Sequence, residues 1–132
     1  MKINHVAVVV CAFANLVLGA LWYSPVLFGR AWMQVNGLTE ERLKQVKMAP
    51  RLVLTFLLSL VMSYNLAFFL SDAKTTALWG ATAGLLTGLG WAAMIFTVIA
   101  LFELRPVKYI LINGGFIVFY FALIGFILGL WR

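Results

Sequence analysis

The chain has 132 residues, a length for one domain, with 64% hydrophobic residues, 11% charged residues and a net charge of +6. Soluble domains carry about 25% charged residues, so the composition points away from a water-soluble fold and leaves too little polar surface for the basic face of a nucleic-acid binder. A single cysteine, Cys11, excludes an internal disulfide and any multi-cysteine metal site.

A helical membrane crossing needs about 20 mainly apolar residues. Four windows free of Lys, Arg, Asp and Glu meet this need, at about 3–24, 52–70, 76–102 and 109–131. Barrel strands alternate over about ten residues and do not produce continuous runs of this kind. The fold class expected is therefore all-α, a polytopic bundle of four transmembrane helices in one domain, 1–132.

In the first window, Ala12-Phe13-Ala14 has the form of a signal cleavage site, but the apolar run continues to Trp22, which predicts a retained helix. Pro25 ends it. His5 is expected at the interface, and Cys11 as a small buried hydrophobe. Residues 25–51 form the one substantial loop. Phe28, Trp32 and Met33 suggest an interfacial stretch, with Arg30 reaching toward headgroups. Within 39–48 a short amphipathic surface helix is predicted: Thr39 is an N-cap, Glu40 and Glu41 fall in the first turn, and Lys44 and Lys47 come later. Pro50 suits the opening of the second crossing. Residues 71–75 are a polar turn, and Glu103-Leu104-Arg105-Pro106 separates the third crossing from the fourth.

With four crossings, Lys2, Lys74 and Arg132 share one side, while Arg30, Arg42, Lys44, Lys47, Arg51, Arg105 and Lys108 share the other. The positive-inside rule puts the richer side in the cytoplasm. Both termini are then expected outside, with the first and third loops inside. Trp22, Tyr23, Trp79 and Trp131 fall near helix ends, where aromatic belts lie, whereas Trp91 falls near the middle of the third window.

Apolar burial cannot join helices already dissolved in lipid, so small residues that let backbones approach carry much of the association. The third window carries Gly80, Gly84 and Gly88 at four-residue spacing, and the fourth carries Gly125 and Gly129. Packing within the bundle is the first reading, and a homo-oligomer seam along the third helix is the alternative.

Embedded charges mark proton relays and ion pathways, and none lies near a predicted midpoint. The polar candidates are Asn15, Asn65 with its neighbour Tyr64, and Asn113. They either clip helices together or line a site for a solute or a lipid headgroup. No catalytic residue, metal ligand set or cofactor motif is identified, and the expectation is a protein that is not an enzyme.

Gly19-Ala20-Leu21-Trp22-Tyr23-Ser24-Pro25, continuing through Leu27-Phe28-Gly29 to Ala31-Trp32-Met33, resembles a family of small membrane proteins known as domain of unknown function 1761. So do Gly37-Leu38-Thr39-Glu40-Glu41, Ile112-Asn113-Gly114-Gly115 and Gly129-Leu130-Trp131. The resemblance covers nearly the whole chain. It implies a small multi-spanning membrane protein, mainly bacterial, and supplies no activity; the bacterial inner membrane is the location expected. It draws attention to the first helix-loop junction: Trp22, Tyr23, Pro25, Gly29, Arg30 and Trp32. Three functions fit these features. They are a non-enzymatic accessory or scaffold protein, a homo-oligomeric channel or carrier for a neutral or weakly charged solute, and a binder of lipid or of a hydrophobic cofactor. Membrane lipids are the partners expected in each.

Overall fold

A computed structural model describes residues 2–132. The order of elements is α1 (His5–Trp22), α2 (Gly29–Asn36), α3 (Glu40–Lys44), α4 (Met48–Phe69), α5 (Ala77–Thr87), a π-helical turn (Gly88–Ala92), α6 (Ala93–Phe102) and α7 (Val107–Leu130). Helices α5 and α6 continue through the π turn as one rod, Ala77–Phe102. With α1, α4 and α7 it makes four helices long and apolar enough to cross a membrane. The chain is all-α, with no strand among the described residues.

Local chemistry sets the helix ends. The side chains of Asn4, Thr39 and Thr76 each accept from a backbone amide three residues on, those of Ala7, Arg42 and Trp79. Gly37 closes α2 at φ 63°, the left-handed conformation that a Cβ penalises. Leu104 takes the same conformation after α6, at φ 60°.

Three boundaries differ from those read in the sequence. The second crossing starts at Met48 rather than near residue 52, because a first helical turn tolerates Pro50 and the Arg51 side chain folds back onto the Lys47 carbonyl at 3.0 Å. The stretch around Trp32 and Met33, to which the sequence reading assigns no secondary structure, forms a short helix, α2. The surface helix predicted over 39–48 shrinks to Glu40–Lys44, since Met48 belongs to α4.

The four crossings do not close into a ring. Helix α1 lies between α4 and α7, and α7 lies between α1 and the third rod. Helices α4 and α5, though consecutive, hardly touch. The main core sits where α1, α4 and α7 meet, around Val8, Cys11, Leu66, Tyr120 and Ile124. Away from it the crossings present large apolar side chains outward, such as Val17, Leu58 and Ile95. In water that would be untenable; in lipid it costs nothing.

Glycines make the second seam. A Cβ built on Gly80 would overlap the Gly125 carbonyl, and one on Gly125 would overlap the Gly80 carbonyl. Gly84 meets the Phe121 carbonyl in the same way, and Gly129 meets that of Thr76. The third rod and α7 thus touch backbone to backbone. The stripe weighed as a homo-oligomer seam is occupied by this chain's own α7, so a neighbouring copy does not have it available.

Candidate functional site

The helix-loop junction is a knot of aromatic side chains at one end of the bundle. Phe28 N–H donates to the Trp22 carbonyl at 3.0 Å and Gly29 N–H to the Ser24 carbonyl at 2.9 Å, folding the chain back after α1. Gly29 is required here, because a Cβ would fall 2.5 Å from the Tyr23 carbonyl oxygen. The turn sets α2 beside α7. Trp22 Nε1 then donates to the Ile112 carbonyl at 2.9 Å, and the Tyr23 hydroxyl donates to Asn113 Oδ1 at 2.6 Å. The Tyr23 ring lies 5.3 Å from Trp32 and 5.5 Å from Phe116. Trp22, Tyr23, Gly29, Trp32 and Asn113 therefore come together, while Pro25 and Arg30 stay exposed at the rim.

The other amide candidates separate. Asn15 Nδ2 donates to Ser59 Oγ at 2.8 Å, clipping α1 to α4 inside the bundle. Tyr64 pairs with His5 Nδ1 at 2.8 Å near the opposite end. Asn65 faces outward, its amide nitrogen bonded to the Val61 carbonyl of its own helix at 2.8 Å. The three share no cavity. Asn15 belongs to a buried polar cluster that sequence reading did not assemble. The Tyr120 hydroxyl, beside Ser59, Ser63 and Asn15, donates to the Cys11 carbonyl at 3.0 Å. The Cys11 thiol donates to the Ile124 carbonyl. Ser63 Oγ is buried there without a hydrogen-bond partner.

At the end of the bundle opposite the junction, the Arg132 guanidinium donates to the backbone carbonyls of Leu70 and Asp72. The first of these carbonyls belongs to the C-cap of α4 and the second to the turn that follows it. Among the described residues no three His, Cys, Asp or Glu side chains are grouped to hold a metal ion.

A recess lies elsewhere, in the gap between α4 and α5. It is a crevice of about 600 Å³. Met62, Leu66 and Phe69 form one wall, Ala83, Leu86 and Trp91 the other, and Phe121 of α7 contributes to its lining. Asn65, Trp79 and Thr87 add its few polar atoms. Only Asn65 of these was singled out as a candidate polar position in the sequence. The crevice exists because two neighbouring helices stand apart, and one-dimensional spacing does not encode that.

Four apolar crossings, an interior polar cluster satisfied mainly within the chain and an outward apolar surface define a small integral membrane protein. The chain belongs to the family described as protein of unknown function (DUF1761), whose profile matches residues 6–129. No curated protein and no solved structure matches it.

Proposed function

We propose that the protein is a non-enzymatic accessory protein of the bacterial inner membrane that holds the apolar chain of a lipid in the crevice between α4 and α5. The observation that carries this reading is the crevice itself, about 600 Å³, apolar, and walled by two helices apolar enough to cross a membrane. Pockets for hydrophobic ligands are mostly apolar with a few placed polar groups, and this lining fits that description. The interior hydroxyls and amides support a structural role over a catalytic one, since they bond to one another and to backbone carbonyls. The cation-rich loops face the cytoplasm in this reading, and both termini face outward.

The test uses the full chain in liposomes containing a phosphatidylcholine with a photoactivatable diazirine in its acyl chain. After irradiation and digestion, mass spectrometry is expected to find labels on Met62, Phe69, Leu86 and Trp91 above the level on Val17 and Phe102, which face lipid with no recess. Ala83→Trp, which fills the crevice, is expected to remove that excess. Even labelling over all outward positions, unchanged by Ala83→Trp, overturns the reading. So does capture of a second protein copy, rather than lipid, by a photoreactive residue placed at Leu86.

A further inference from the structure

The third rod changes its relation to α7 partway along. As far as Gly88 the two are in close contact, and a Cβ on Gly88 would lie 2.8 Å from Phe121 Cβ. The π turn follows, in which the Ala93 amide donates to the Gly88 carbonyl five residues back. Such a turn inserts one extra residue and re-aims what comes after, and it recurs at functional sites. Beyond it α6 stands off from α7, and a groove of about 450 Å³ opens between them. Leu89, Met94, Thr97, Leu111 and Phe119 line it, with Gly114 as part of the floor. Gly114 is buried, yet a Cβ added there would meet nothing within 4 Å.

The turn that joins α6 to α7 and the start of α7 carry two cations, Arg105 and Lys108. Phe96 of α6 stacks on Tyr109 of α7 with ring centres 5.8 Å apart, and the Arg105 guanidinium lies 4.7 Å over the Tyr109 ring. Lys108 precedes Leu111 by three residues and Gly115 by seven, so helical spacing puts it on the groove side of α7. Arg105 and Lys108 are exposed, and Glu103 is the one acid of the turn, which leaves it net positive. An apolar trough whose two helices are joined by a segment bearing two cations complements an amphiphile with an anionic head.

We propose that the groove between α6 and α7 holds an acyl chain of one anionic phospholipid, with its phosphate against Arg105 and Lys108. This site is separate from the crevice between α4 and α5 and stands or falls without it.

The experiment is native mass spectrometry of the full chain in detergent, titrated with equal amounts of phosphatidylglycerol and phosphatidylcholine. One phosphatidylglycerol is expected to bind preferentially. A cation near an anionic lipid contributes about fivefold in binding, so the double variant Arg105→Gln/Lys108→Gln is expected to lower that preference about 25-fold. Lys44→Gln/Lys47→Gln removes the same charge at the same end and is expected to leave it unchanged. Gly114→Leu, which fills the groove, is expected to abolish retention of that lipid; Leu111→Trp fills it from the open side should the glycine variant fail to fold. Ala83→Trp, which tests the other crevice, is expected to have no effect here. Equal loss from the two double variants, or retention in a folded groove-filled variant, overturns the proposal.

Discussion

Leu104 is the one non-glycine residue with positive φ among those described, and it sits just beyond α6, where left-handed backbone lets the Arg105 amide reach the Ala100 carbonyl at 3.0 Å. Left-handed backbone costs an L-residue roughly 1–2 kcal/mol. The leucine side chain is 89% exposed, so it returns little through packing. Leu104→Gly is therefore expected to stabilise the protein by about 1 kcal/mol, read as a higher midpoint of thermal unfolding in detergent micelles. A lower midpoint would show that this side chain holds the turn in the bilayer. At the same scale, roles depend on partners that sequence does not reveal. Tyr23 and Asn113 are bonded to each other across 90 positions, and Asn15 and Ser59 across 44. Asn15 and Asn113 were each visible as a polar residue in an apolar run. Whether either clipped helices or faced outward was not, because the choice depends on how the helices rotate against one another.

Helices themselves were far more legible. Lipid forbids unpaired backbone groups, so a charge-free run long enough to cross has little choice but to be helical. Short segments lack that compulsion, which is why α2 escaped notice and α3 came out too long. The glycine stripe of the third rod was also legible, but not the partner it would meet. Two glycines in that rod now separate contact from composition. Gly84→Ala drives a Cβ into the Phe121 carbonyl and is expected to cost about 1–3 kcal/mol, as overpacking does. Gly90→Ala points into open space and is expected to cost nothing or to stabilise. Unfolding in mixed detergent micelles distinguishes them, and equal effects would mean that the seam with α7 is not closed.

For the whole molecule, the distribution of cations predicts handedness in the membrane. Lys74→Cys is expected to react with a membrane-impermeant maleimide on intact bacterial cells, and Lys44→Cys only after lysis. The native Cys11 is fully buried and leaves the readout clean. Reaction of Lys44→Cys on intact cells would invert the topology. A bundle of four crossings was readable from the sequence; its open arc was not, since the same four windows suit a closed ring equally well. The arc gives α7 contacts with α1, α2, α4 and the third rod, whereas α1 and α4 pack chiefly on one another and on α7. Ribosomes deliver that organiser after its clients. Until it emerges, the bare glycine backbone of the third crossing has no mate, and biogenesis of the protein includes an interval in which a half-built bundle must be chaperoned or left loosely associated in the bilayer.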